Sequence, residues 1–253
     1  MSHYLEKAAA LKSKVKSALV YPAAIVGVAF AVIVFMLTFV IPTFAQMFKQ
    51  MRASLPLPTL IVVGMSNFML GYWWAVFGAL AGMIFGLRAY YKTEGGRAVI
   101  DAMLLRLPIF GMLFRKIAVA RFARTLGTLI SSGVPILDGL RITAKTAGNK
   151  VVEKAVMATR NSVMSGKTLA EPLKASGVFP PMVIQMIHVG EQTGALDAML
   201  GKIADFYDEE VDIAVSALMS LLEPLMIVFL GVVIGGLVIA MYLPIFKLVT
   251  LIK

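Results

Sequence analysis

Cysteine is absent, and histidine occurs only at His3 and His188. The first absence excludes disulfide staples and thiolate metal sites, and the second leaves too few imidazoles for a histidine-built one. Charge is scarce too. Asp, Glu, Lys and Arg make up 15% of the 253 residues against 59% hydrophobic ones, and the mean hydropathy of +0.86 lies outside the range of an ordinary soluble domain. No P-loop, Gly-x-Ser-x-Gly elbow or His-Glu-x-x-His motif occurs, which argues against an enzyme, and no cofactor is expected. No stretch alternates apolar and polar residues for long, which argues against a sheet. What is present fits an all-α, polytopic membrane protein.

One passage occurs twice. Pro22, Pro42 and Phe44 recur as Pro224, Pro244 and Phe246, with an uninterrupted apolar run between the two prolines of each copy. The same offset sets Tyr4 opposite Phe206, Glu6 opposite Asp208 and Leu11 opposite Ile213, so a charged amphipathic lead-in precedes both copies. The pattern reads as a tandem duplication. A polar stretch from Arg115 to Gly201 stands upstream of the second lead-in, whereas the first copy begins almost at residue 1. By that ruler the first unit lacks roughly 85 residues, and the chain reads as N-terminally truncated.

Pro22 to Ile41 is twenty residues without a charge, enough to cross about 30 Å of hydrocarbon as a helix. A first transmembrane helix is expected over 22–47; a cleaved signal peptide is the rival, but the run exceeds a typical signal core and its C-terminal twin cannot be one. The second apolar stretch, Thr59 to Leu87, exceeds one span. Its first part, through Asn67 and Gly71, reads as interfacial, giving a periplasmic loop and interfacial segment over 48–71. The crossing is then 72–91, bracketed by Tyr72, Trp73 and Trp74 at one end and Tyr90 and Tyr91 at the other. The third transmembrane helix is expected over 219–246, with Pro224 in a first helical turn, where its missing N–H is tolerated.

Basic residues set the orientation. Lys7, Lys12, Lys14 and Lys16 precede the first span, and Arg88, Lys92, Arg97, Arg106, Arg115, Lys116, Arg121 and Arg124 follow the second. Only Lys49 and Arg52 lie between these spans. The positive-inside bias makes the richer segments cytoplasmic and the tail over 247–253 periplasmic. The net charge of +10 is thus mainly topogenic, with membrane lipid headgroups as a secondary attraction and no nucleic acid partner. Residues 1–21 read as an amphipathic helix ending a first cytoplasmic unit.

Residues 92–218 have ordinary polar composition, enough for a cytoplasmic helical domain. Glycine, proline and caps divide it into helices over Arg115 to Ser131, Ile136 to Ala147 and Lys150 to Ser165, a short fourth opened by a Thr168–Glu171 capping box, a fifth from Pro180-Pro181 through Val189, and a sixth after Gly194. In the sixth, Leu196, Leu200, Ile203, Tyr207, Val211, Ala214 and Leu218 form a core-facing stripe. Asp205, Asp208, Glu209 and Asp212 sit opposite. They read either as a solvated face or as a docking stripe for a basic partner, and the basic lead-in of the first copy is a candidate to meet them.

A transporter or channel would place ionisable residues inside the bilayer. The interiors of the three spans lack them; Arg88, near the end of 72–91, and Glu223 stand only at the edges. A small oligomeric transporter or channel is therefore the rival functional class. Gly78, Gly82 and Gly86 in the second span and Gly231 and Gly235 in the third recur at four-residue spacing, which lets membrane helices approach closely and pack.

The segments "FARTLGTLISSGVPILDGL" at Phe122 to Leu140 and "FPPMVIQMIHVGEQTGALD" at Phe179 to Asp197 resemble the type II secretion F family, the inner-membrane platform proteins of type IV pilus and type II secretion machines. "LPLPT" after the first span and "TEGGR" after the second resemble its pilus-assembly branch, PilC. The resemblance covers essentially the whole chain. It implies two homologous six-helix cytoplasmic bundles, of which the first is here largely missing. It also implies a multi-pass protein of the bacterial inner membrane with its main domain cytoplasmic, acting without catalysis. The implied partners are hexameric cytoplasmic assembly or retraction ATPases, pilins, other inner-membrane assembly proteins and further copies of itself, as a dimer or higher oligomer; a type II secretion platform is the alternative. The family has no catalytic residues to carry over. Its signature Gly190-Glu191 and Gly194 through Asp197 is expected between the fifth and sixth helices, with Gly194 in a positive-φ turn, Asp197 in the next helix's first turn and Glu191 as a candidate for a partner or metal contact.

Overall fold

The computed structural model describes the backbone of residues 2–50, 55–108 and 110–251, and the side-chain surroundings of 17, 20–50, 55–108 and 110–246. The expected basic lead-in side chains of Lys7, Lys12, Lys14 and Lys16, the loop residue Arg52 and the tail side chains over 247–253 lie outside the described residues. Among those described, the chain is helical and contains no strand. Val20–Gln50, Leu57–Lys92 and Leu196–Phe246 are long and apolar enough to cross a membrane.

Helix α1 (Ser2–Phe35) runs through Pro22 and passes into a π-helical turn, Met36–Val40, before α2 (Ile41–Gln50). Pro42 explains the widening. A proline ring collides with the carbonyl four residues back, and a π turn relieves that collision. The Ile41 N–H accordingly reaches the Met36 carbonyl, five residues earlier. Helix α3 (Leu57–Lys92) opens with Pro58 in its first turn, and its backbone leaves helical geometry at Tyr72 (φ −123°, ψ 19°). Residues 57–71, within the periplasmic loop and interfacial segment expected over 48–71, are therefore helical. An apolar run with proline in its first turn has an intrahelical partner for nearly every backbone group, whereas an irregular loop would leave them open.

After α3 come α4 (Glu94–Arg106), α5 (Phe110–Ser131), α6 (Ile136–Thr146), α7 (Lys150–Met164), α8 (Ala170–Ala175), α9 (Pro181–Thr193) and α10 (Leu196–Leu251). Helix α4 was not among those read from the sequence, and α5 begins earlier than expected. The Thr168–Glu171 capping box does not form. Leu169 is the N-cap, its side chain has no acceptor to offer the first-turn N–H groups, and its own N–H donates not to Glu171 but to Glu191 Oε1 at 2.6 Å. Helix α9 continues past Val189, so Gly190 and Glu191 lie inside it; one internal glycine costs about 1 kcal/mol, and the stop is Gly194 at φ 70°. Pro224 also differs from expectation. It lies inside the continuous α10 and not in a first turn.

The chain forms two compact units, one of Met1–Lys16 and Arg88–Leu218, the other of Ser17–Leu87 and Met219–Lys253. In the first, Phe122, Leu126, Leu140, Val152, Val156, Leu169, Leu173, Val183, Ile187, Leu200 and Ile203 are fully buried in one core. The stripe on α10 faces it with Leu200, Ile203 and Tyr207, and Leu196 packs against it; Val211 and Leu218 are buried outside that cluster and Ala214 is half-buried. Helices approach closely where the sequence supplies glycine. A Cβ on Gly127 would stand 3.1 Å from Leu200 Cβ, and one on Gly190 would stand 3.0 Å from Leu196 Cα. In the second unit Leu37, Ile41, Leu237 and Met241 form a smaller core, against which Val62, Val63 and Val233 pack.

Candidate functional site

The acidic face of α10 meets α5 within the first unit. Arg124, on α5, donates from its Nη2 to Asp205 Oδ1 at 2.7 Å and to Asp208 Oδ2 at 2.6 Å. Lys116, two turns earlier, donates to Glu210 Oε2 at 2.6 Å. Part of this face is thus engaged by the neighbouring helix α5. The Arg124 side chain is only 11% exposed, Asp208 is 21% exposed, and Asp205 is 65% exposed. Burial alone lowers the guanidinium pKa, but hydrogen bonds and attraction from Asp205 and Asp208 outweigh it and hold the pKa above the ordinary arginine value. Glu209 is exposed and Asp212 half-buried. Glu210 escaped the sequence reading, although Lys116 and Arg124 stand two turns apart on α5 as a signal for an acidic neighbour.

Glu191 sits in the last turns of α9. One carboxylate oxygen accepts from the Leu169 N–H and so fixes the start of α8; the other, Oε2, is buried without a partner. No group of three or more His, Cys, Asp or Glu residues stands together as a metal site among the described residues. Gly194 is left-handed and Asp197 occupies the first turn of α10, as their residue types lead one to expect.

In the second unit, two prolines deprive carbonyls of backbone partners. The Leu37 carbonyl would normally receive the Ile41 N–H, which goes to Met36 instead, and the next residue, Pro42, has no N–H to offer. The Ser66 hydroxyl takes its place, at 2.5 Å. The Ala240 carbonyl would receive the N–H of residue 244, which is proline; the Thr59 hydroxyl donates to it. Pro42 and Pro244 each close one of the two matching proline-bounded apolar runs. Ser66 and Thr59 lie seven residues apart, on one face of α3, and both are buried. The first half of α3 therefore supplies hydroxyl donors to the two carbonyls that the prolines disconnect.

Gly78, Gly82, Gly86, Gly231 and Gly235 have no described atom within 4 Å of where a Cβ would stand. They are not packed against the rest of the described chain. Tyr21, Pro22 and Ile25 of α1 and Met219, Leu222, Glu223 and Met226 of α10 line an apolar groove of about 430 Å³.

Three helices with stretches long and apolar enough to cross a bilayer mark a multi-pass membrane protein. The chain belongs to the type II secretion system protein F family: the family described as "Type II secretion system (T2SS), protein F" matches residues 1–42 and 122–244. It is 50% identical to the type IV pilus assembly protein PilC of Myxococcus xanthus over 98% of this chain and 60% of that protein. It is 47% identical to the type IV pilus assembly protein TapC of Aeromonas hydrophila over 97% of this chain and 60% of the relative. It is 33% identical to the type II secretion system protein F of Pseudomonas aeruginosa over 98% of this chain and 61% of the relative. The chain thus spans about three-fifths of the length of these relatives.

Proposed function

We propose that the chain acts in the bacterial inner membrane as a non-enzymatic platform of a type IV pilus assembly machine, coupling the motion of cytoplasmic hexameric ATPases to pilin insertion or extraction. What carries the reading is the higher identity to the pilus-assembly relatives than to the secretion protein. In this reading 92–218 is cytoplasmic, its six-helix bundle made of α5 to α9 and the start of α10 with α4 leading into it, the C-terminal tail is periplasmic, and the spans and bundle descend from a tandem duplication. Helix α10 supports the coupling: it contributes Leu200 and Ile203 to the core of one unit and continues to Leu251. A continuous helix transmits a displacement along its axis. The exposed edge of the acidic face, Glu209 with the open side of Asp205, Asp208 and Asp212, is the docking surface for the ATPase or for a basic segment such as 1–16. Glu191 is a second candidate contact. The glycines at 78, 82, 86, 231 and 235 are where further copies or pilins would pack.

Inserting Gly-Gly after Ser216 tests the coupling. Piliation is expected to disappear while membrane insertion persists, and normal piliation would refute the mechanism. Reversing Asp208 and Glu209 to lysine should reduce crosslinking to residues 1–16 or co-purification of the ATPase; unchanged assembly would count against this face as a dock. Assaying piliation and protein secretion together in a deletion strain separates the pilus reading from the secretion one.

A further inference from the structure

The corner between α3 and α4 is built tightly. Thr93, the only residue between the two helices, accepts from the Gly96 N–H at 3.1 Å and donates to the Tyr90 carbonyl at 2.7 Å. A Cβ on Gly96 would fall 2.1 Å from that same carbonyl, so only glycine lets the first turn of α4 close on the last turn of α3. Asp101, almost fully buried on α4, receives the Tyr91 hydroxyl at 3.1 Å and the Lys150 N–H at 2.6 Å. Helix α4 is thereby fastened to the end of α3 and to the start of α7.

With Asp101 and Gly96 turned inward, the outward face of α4 is apolar. Val99 is 52% and Met103 61% exposed, Arg106 stands beside them at the i, i+4, i+7 spacing of one helix face, and Leu107 follows at 41%. Phe110 and Met112, at the start of α5, are exposed as well. Arg88, Lys92, Arg106 and Arg115 precede, lie on or follow this stretch in sequence, Arg97 turns toward Asp101 at 3.8 Å, and the acidic residues here are Glu94 and the already engaged Asp101. An apolar face that carries Arg106 and is flanked in sequence by further basic residues, one residue beyond a helix of membrane-spanning length with Tyr90 and Tyr91 in its last turn, has the composition of an interfacial segment.

We propose that the outward face of α4 docks on the anionic headgroups of the bilayer that α3 crosses, Val99, Met103 and Leu107 entering the acyl boundary and Arg106 pairing with lipid phosphate. The surface goes beyond the assembly reading and rests only on α3 crossing the membrane. A soluble partner would need to recognise a face that chain continuity keeps near the headgroups, and the clustered basic residues match anionic lipid.

Because the chain has no cysteine, single substitutions report cleanly. Val99→Cys, Met103→Cys, Phe85→Cys and Met164→Cys, all at exposed positions, would each carry a fluorophore in vesicles of phosphatidylcholine with or without phosphatidylglycerol, quenched by lipids brominated along their acyl chains. Quenching is expected at positions 99 and 103, stronger with phosphatidylglycerol, and absent at Met164→Cys. Adding Arg106→Gln to Met103→Cys should weaken docking about fivefold, the loss of one charge near an anionic surface. Quenching at 99 and 103 no greater than at 164 overturns the proposal. So does protection that rises with protein-to-lipid ratio, which marks a second copy, or that requires added protein. Phe85→Cys checks separately that α3 lies in the bilayer.

Discussion

Arg124 shows how much one side chain decides in the first unit. It is nearly buried and bonded to two carboxylates, so removing it leaves Asp208 half-buried without its cation. Arg124→Met is expected to destabilise the protein by about 2 kcal/mol, the order for a lost charged hydrogen bond plus an unsatisfied buried group. Asp205→Ala, at the open end of the same pair, should cost under about 1 kcal/mol. Thermal unfolding in detergent would rank the two, and equal losses would contradict the burial argument. Since the guanidinium pKa is raised, its stabilisation is present below the unfolded arginine pKa and is lost only as pH rises through the folded one. The Arg124→Met penalty should therefore stay constant across the neutral range. Gly194 is a backbone counterpart. It ends α9 in the left-handed region, where a side chain costs about 1 kcal/mol or more, so Gly194→Val should lower the melting temperature while Gly201→Ala, in open space within α10, should not.

At the scale of elements, the prolines of the first and third spans explain why α3 bears hydroxyls on one face. Ser66→Ala or Thr59→Val each removes a bond to a carbonyl that no backbone N–H can reach. The expected loss is about 0.6 kcal/mol each, and no more than about 1.7 kcal/mol, the range for hydrogen bonds between membrane helices. Pro42→Ala should reduce the Ser66→Ala penalty, because alanine at that position restores a backbone donor near Leu37. A double-mutant cycle read by unfolding in mixed micelles would measure that coupling, and strict additivity would dismiss the account. Some elements were legible and others hidden for identifiable reasons. The stripe from Leu200 to Leu218 reads directly, since 3.6-residue periodicity is a local property. Helix α4 was missed because its pattern is inverted: its polar Asp101 is buried and its Val99 and Met103 face outward. The kink at Tyr72 falls where the aromatic cluster marked a change of segment, yet nothing local tells that residues 57–71 are helical and pack on Leu37 and Met241.

At the scale of the whole molecule, orientation is the prediction on which the proposed role depends. Protease added to right-side-out vesicles should leave the 92–218 segment intact, and cleavage within it from the periplasmic side would contradict the cytoplasmic assignment. Sequence alone determined that this is an all-helical membrane protein with three apolar segments of spanning length, and which motifs carry its family likeness. Those properties are sums over neighbouring residues, so composition and periodicity suffice. Tertiary structure alone decided which charges and carbonyls find each other: Arg124 with Asp205 and Asp208, Glu191 with the start of α8, and Ser66 and Thr59 with the carbonyls disconnected by Pro42 and Pro244. Such pairings join residues far apart in sequence, and their geometry exists only once helix ends and close approaches have brought specific donors within hydrogen-bond reach.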